Sequence, residues 1–214
     1  MAAGIPALVL LSGNCHALTP LVDAQRRASC DARRRLERQL ATEAPSAFSL
    51  ATLLCCEERV HKPVAEIEYE VEQQVHELAQ RARLRVDLLR LLDRDSMSEP
   101  QRVATAVSTS LFGSQGAADD ADAAFFAGNL ADYYDPRNSF VDCVLSRRQG
   151  IPISLSLVYV EVCARLGLEM VGLNTPAHLL VAPADASVPF VVDPFDRGAV
   201  LPSPAAAELV AANA

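Results

Sequence analysis

His178 and Asp193 are the two residues of this chain whose types and order best suit proton chemistry. The run from Tyr133 to Asp196 predicts a helix starting after Gly150-Ile151, a strand carrying His178, and a strand ending at Asp193. That order suits a cysteine at a helix N-terminus facing a histidine and an aspartate on adjacent strands. The helix dipole and the imidazole would give such a cysteine thiolate character, and the aspartate would fix the imidazole tautomer and stabilise its charged form. Here the helix-start position is Pro152, which has neither a nucleophile nor an N–H. Both other residues also have plainer readings. A histidine between apolar neighbours suits an ordinary strand position, and Asp193 before Pro194 suits a turn in which the carboxylate caps local amides.

Two hydroxyls could stand in for the missing thiol. Ser154 and Ser156 fall in the first turns of the same predicted helix, where the dipole favours a developing alkoxide. Ser154 is two residues beyond Pro152 and projects roughly 200° around the axis; Ser156 returns near the same face, one turn deeper. Either also suits a helix-start hydrogen bonder. Cys143 and Cys163 fall mid-helix and read as packing residues. Tyr133, Tyr134, Arg137 and Asn138 gather aromatic and polar groups just before the core helices. They suit a turn in which Asp135 and Asn138 bond backbone amides. They equally suit a cleft wall, with Tyr134, Arg137 and Asn138 as ligand-binding candidates and Arg137 recognising a carboxylate or a peptide terminus.

An ordered series of short motifs runs through this region: Gly128-Asn129, Tyr133 to Ser139, Arg147-Arg148, Gly150 to Leu155, Arg165 to Leu168, Pro176 with His178, and Asp193 to Phe195. The series resembles the transglutaminase-like proteins of the SirB N-terminal type, a bacterial group whose domain also occurs in some eukaryotic F-box proteins. The resemblance is densest over 128–201, looser over 48–126, and does not reach the first 40 or so residues. Ala177, Leu179 and Ala182 depart from it, standing where the family tends to have Gly, Phe and a basic residue. It implies an all-helical lead-in before the core. In the wider superfamily the cysteine lies some fifteen residues before the glycine that closes its helix, and counting back from Gly167 reaches Pro152. The resemblance therefore implies relatives of an enzyme, not necessarily an enzyme. No F-box-like segment is evident.

The elements around these residues follow from spacing. Helix formers run from Ala24 to Leu40, and Ala44-Pro45-Ser46 ends them. Ser49 predicts a cap for a helix over 50–60. Pro63 opens a helix with Ile67, Val71, Val75, Leu78 and Ala82 on one stripe. A further helix is predicted over 83–92 and another from Pro100 with Val103, Val107 and Leu111. Residues 113–122 read as a surface loop. A helix over 139–148 is predicted to end at Gly150, and the next, from Pro152, to carry Ile153, Leu157, Val160 and Ala164 on one face up to Gly167. Segments 168–173, 177–181 and 189–192 then suit short strands. The expected fold class is α+β: a helical N-terminal half, then a transglutaminase-like core helix packed on a small antiparallel sheet. The expected division is 1–45 as a loose or helical segment and candidate targeting region, 46–126 as helical lead-in, 127–201 as the core and 202–214 as an Ala-rich tail.

Composition narrows the function classes. The 214 residues, half of them apolar, can bury a substantial core, and no apolar run reaches the length of a membrane span. A net charge of −8 speaks against nucleic acid, and the arginine clusters at 33–35 and at 81, 83 and 85 read as solvated helix faces. The six cysteines include no C-x-x-C pair, which speaks against zinc, and they suit reduced, buried thiols. No cofactor is expected. The first 22 residues lack the charge pattern of a secretory signal, so an intracellular, cytoplasmic protein is expected, with plastid or mitochondrial import as the alternative. The reading reached is a catalytically degenerate domain that binds a protein or peptide. The alternative is a hydrolase or acyl-transfer enzyme using His178 and Asp193 with Ser154, Ser156 or an unexpected cysteine. A third reading is a structural partner that docks through its helical half.

Overall fold

Four helices lead into the sheet-bearing half, and the boundaries of each follow from capping residues. In the computed structural model, which describes residues 15–59, 61–92, 96–113, 125–175, 178–202 and 204, helices α1 (Cys15–Leu40), α2 (Ala47–Glu58), α3 (Val64–Leu92) and α4 (Glu99–Phe112) come first. Ser46, not Ser49, caps α2: its hydroxyl accepts from the Ser49 amide at 3.2 Å, so the helix begins one turn earlier than the sequence predicts. Ser98 caps α4, with Pro100 in the first turn. The break expected near residue 83 is absent, and α3 runs unbroken for 29 residues. Charged residues of its second half, Arg83, Arg85 and Asp87, lie on faces away from the buried stripe of Val75, Leu78, Ala82 and Val86.

The second half is built around one helix. Strand β1 (Ala127–Gly128) pairs in parallel with β2 (Gln149–Gly150), and between them lie a 3₁₀ turn (Pro136–Asn138) and α5 (Val141–Arg147). The α5 helix ends at Arg148, whose φ of 57° makes it the left-handed cap, rather than at Gly150. Helix α6 (Pro152–Arg165) follows, and then an antiparallel meander of β3 (Met170–Thr175), β4 (His178–Pro183), β5 (Phe190–Asp193) and β6 (Ala199–Pro202). The α+β class is as expected, with β6 and the β1–β2 pair added to the predicted strands.

The buried face of α6 is Leu155, Val158, Tyr159, Val162 and Cys163. Of the residues predicted to share one face, Leu157 and Val160 are half-buried against the core, while Ile153 and Ala164 are exposed. Tyr159 anchors the helix: its hydroxyl donates to the Ala104 carbonyl at 2.9 Å, and its ring stacks on Phe112 at 6.4 Å. Burying an aromatic whose hydroxyl is satisfied stabilises by apolar burial without leaving a polar atom orphaned. Val181, Phe190 and Val192 turn toward the helices and join the main core, while Leu180 and Val191 form a small cluster on the other side of the sheet.

Ion pairs join the helices, and two arginines of the largely exposed first cluster take part in them. Arg33 pairs with Glu57 of α2, and Arg35 with Glu68 of α3 at 2.6 Å. Arg59 reaches Asp142 of α5 at 3.0 Å, and Arg165 holds Glu72 with two nitrogens. Among the described residues no helix is long and apolar enough to cross a membrane. Several expectations lie outside the described residues: the N-terminal segment up to residue 14, the surface loop over 114–122, Pro176 and Ala177, the side chain of His178, and the tail from 205.

Candidate functional site

At the start of α6 the backbone and the first serine hydroxyl are tied into local hydrogen bonds. Ile151 is the N-cap residue and Pro152 the first helical one, a position where the ring suits the required φ and the missing N–H is no loss. Ser154 is fully buried; its Oγ accepts from the Ile151 amide at 3.1 Å and donates to the Asn138 carbonyl at 2.5 Å. A Cβ on residue 150 would come within 2.7 Å of that oxygen, so glycine is required there. Ser156 is buried too, and its Oγ has no hydrogen-bond partner among the described residues. Neither hydroxyl reaches the surface.

Three of the cysteines, Cys55, Cys56 and Cys163, are buried. Burial pushes the Cys55 thiol up to about 12 and the Cys56 thiol up to about 11, and it raises Cys163 still further. Cys143 is half-buried, and its Sγ accepts from the Arg59 guanidinium at 2.7 Å. Among the described residues no three His, Cys, Asp or Glu side chains are grouped to hold a metal ion.

Residues 129–139 cover the start of α6 and are held from within. Asn138 is fully buried: its Nδ2 donates to the carbonyls of Asp132 (2.7 Å) and Tyr133 (3.2 Å), and its Oδ1 accepts from Asn129 (3.2 Å) and Arg147 (3.4 Å). Every polar atom of that side chain is used inside the protein. Asp135 is the second anchor. Hydrogen bonds from the Arg137 guanidinium, helped by the Arg137 amide and by Arg147, hold its carboxyl down at about 2. Arg137 itself stays mostly exposed, one edge on Asp135 at 2.7 Å. Tyr134 is 91% exposed and packs edge-on against Tyr133, with ring centroids 5.3 Å apart.

The ends of β4 and β5 meet this same region. Asp193 is buried, and its Oδ1 accepts from the amides of Phe195 (3.0 Å) and Asp196 (3.1 Å), forming an Asx turn. That turn sets the Phe195 ring where a Cβ on residue 128 would be, against β1. β1 in turn bonds β2, the Asn129 amide donating to the Gly150 carbonyl at 2.9 Å. His178 opens β4, its backbone paired with Thr175. Extending the Val181–Val192 register brings the His178 backbone level with Phe195, two positions past Asp193. The fold thus gathers the start of α6, the 129–139 segment and the His178 and Asp193 positions at one end of the sheet.

Apolar exposure at this end was not legible in the sequence. Leu130, Tyr134 and Ile153 are all largely exposed. Leu130 and Tyr134 belong to the 129–139 segment and Ile153 to the first turn of α6, and the Ser154–Asn138 bond and the β1–β2 pair join these two segments. Asn129 and Arg147, which fix Asn138, were visible only as members of the motif series.

Residues 69–214 match the family described as the transglutaminase-like superfamily. A UPF0162 protein of Xylella fastidiosa is 46% identical over 74 residues, 34% of this chain and 26% of the relative. The F-box only protein 21 of Homo sapiens is 39% identical over 71 residues, 33% of this chain and 11% of that protein. A UPF0162 protein of Vibrio cholerae is 39% identical over 57 residues, 27% of this chain and 21% of the relative. The chain spans about a quarter or less of the length of these relatives. No solved structure matches the chain at a significant level.

Proposed function

The chain belongs to the transglutaminase-like superfamily, and we propose that it is a catalytically degenerate, SirB-type member that binds a protein or peptide segment over the start of α6. What supports this reading is a proline where the resemblance implies the nucleophile, together with exposed apolar side chains on the segments joined there. Pro152 stands at the helix start, Ser154 is bonded to the Asn138 carbonyl, and Ser156 is buried. On the two segments joined here, Leu130, Tyr134 and Ile153 are exposed apolar side chains, and Arg137 of the same 129–139 segment is mostly exposed. Exposed aromatic and aliphatic anchors beside an arginine suit a segment with apolar side chains and a carboxylate.

The test is a peptide array probed with the purified chain, followed by affinity measurements on the peptides that bind. Tyr134→Ala and Ile153→Asp change exposed side chains, so the fold is expected to hold while affinity falls at least about tenfold, the scale of an interface anchor. No peptide whose binding depends on Tyr134 would overturn the reading. So would a serine- or thiol-directed probe that labels one residue fast in the wild type and slowly in His178→Ala, since that marks a working nucleophile.

A further inference from the structure

The second half of α3 carries an apolar face that nothing in the described fold covers. Leu84, Leu88, Leu91 and Leu92 are 71%, 51%, 70% and 74% exposed. Their spacing puts them on one stripe, and this stripe lies opposite the buried positions Ala82 and Val86. Single exposed leucines are ordinary, whereas four on one stripe are a contiguous patch.

One edge of the stripe carries two arginines, while Asp87 borders the other and Glu77 lies a turn before Arg81. Arg81 and Arg85 flank the leucines along one side, and neither has an ion pair among the described residues. Arg90, farther along the helix, is by contrast held by Asp87 and Glu99. Arg148 lies near the same edge, stacked over Phe126 at 4.7 Å, with its Nη1 buried and without a hydrogen-bond partner among the described residues. Burial and then the neighbouring charge of Arg81 hold its guanidinium below the usual range, with Glu77 opposing them. On a chain of net charge −8, this is a local positive edge beside an apolar stripe.

We propose that the Leu84–Leu88–Leu91–Leu92 face of α3 docks an amphipathic helix of a partner protein whose leucine-type face is bordered by carboxylates. The leucines supply the apolar contact, and Arg81 and Arg85 select an acidic edge. A second copy of this chain is a poorer occupant. Packed antiparallel about a twofold axis, it would set the Arg81–Arg85 edge against the same edge of its partner. Binding here is independent of the surface over α6.

The probe is a labelled synthetic helical peptide of about four turns, with leucines on one stripe and glutamates along one border. Its twin carries lysines in place of the glutamates. Fluorescence anisotropy with the full chain is expected to show the glutamate peptide binding at least about tenfold more tightly than its twin, with affinity falling as salt rises. Leu88→Glu should abolish binding of both, and Arg81→Glu with Arg85→Glu should reverse the preference. Circular dichroism checks that the variants fold. Equal binding of the two peptides, or no binding of either, overturns the proposal. Sedimentation showing a dimer that Leu88→Glu dissociates also overturns it, because a second copy would then cover the face.

Discussion

Asn138→Ala is expected to lower the unfolding free energy by about 3 kcal/mol, read as a drop in the urea midpoint at unchanged slope. The reason is where its bonds go. Two donors reach the Asp132 and Tyr133 carbonyls, and the side-chain oxygen receives Asn129 and Arg147. Alanine removes all four at a site with no exposure, so the partners are left to find water or each other. A net hydrogen bond is worth about 1 kcal/mol, but an orphaned buried partner costs about 1–3 kcal/mol. The loss should fall on residues 129–139 first. Those amides should therefore exchange with solvent faster than those of α3, whose buried stripe the change does not touch. A midpoint within error of the wild type would mean that the segment does not depend on Asn138.

Gly128→Ala should cost about 1–3 kcal/mol, the range for forcing extra volume into a packed place. The new methyl would meet the Phe195 ring, which the Asp193 turn holds in position through the Phe195 and Asp196 amides. Either the ring swings out or the turn moves. Phe195→Ala in the same chain removes the obstacle, so the double variant should be less destabilised than the sum of the two single ones. Additive losses would show that Gly128 and Phe195 do not meet. This pair ties the Asp193 turn to β1, and so to the start of α6.

Much of this arrangement could be read from punctuation. Pro152 and Gly167 mark the two ends of α6, Pro63 and Pro100 the starts of α3 and α4, and Asp193-Pro194 a turn, because proline fixes the backbone and glycine frees it to positive φ whatever surrounds them. Where tertiary partners decide, the sequence was silent. Arginine, leucine and aspartate at 83–92 looked like a second helix, although they merely extend α3 on its exposed side. Strands β1 and β2 are two residues each, too short for any alternation to show, and β6 ends in a proline that reads as a loop. Ser154 was visible as a hydroxyl near a helix start. That it points at the carbonyl of Asn138, sixteen positions earlier, depends on the loop between them. The exposed stripe of α3 is a property of what does not pack there, and periodicity alone registers it as core.

A catalytically degenerate member should keep the superfamily frame around the start of α6 without its nucleophile. Pro152→Cys tests it directly. The variant is alkylated with iodoacetamide across a pH series, the rate being read by mass spectrometry on the peptide containing residue 152. An ordinary thiol inflects near pH 8.5. If the frame persists, the introduced thiol should inflect about one unit lower or more, through the helix N-terminus and the His178 position, and should return toward the ordinary value when His178→Ala is added. An ordinary inflection, indifferent to His178, would contradict the account.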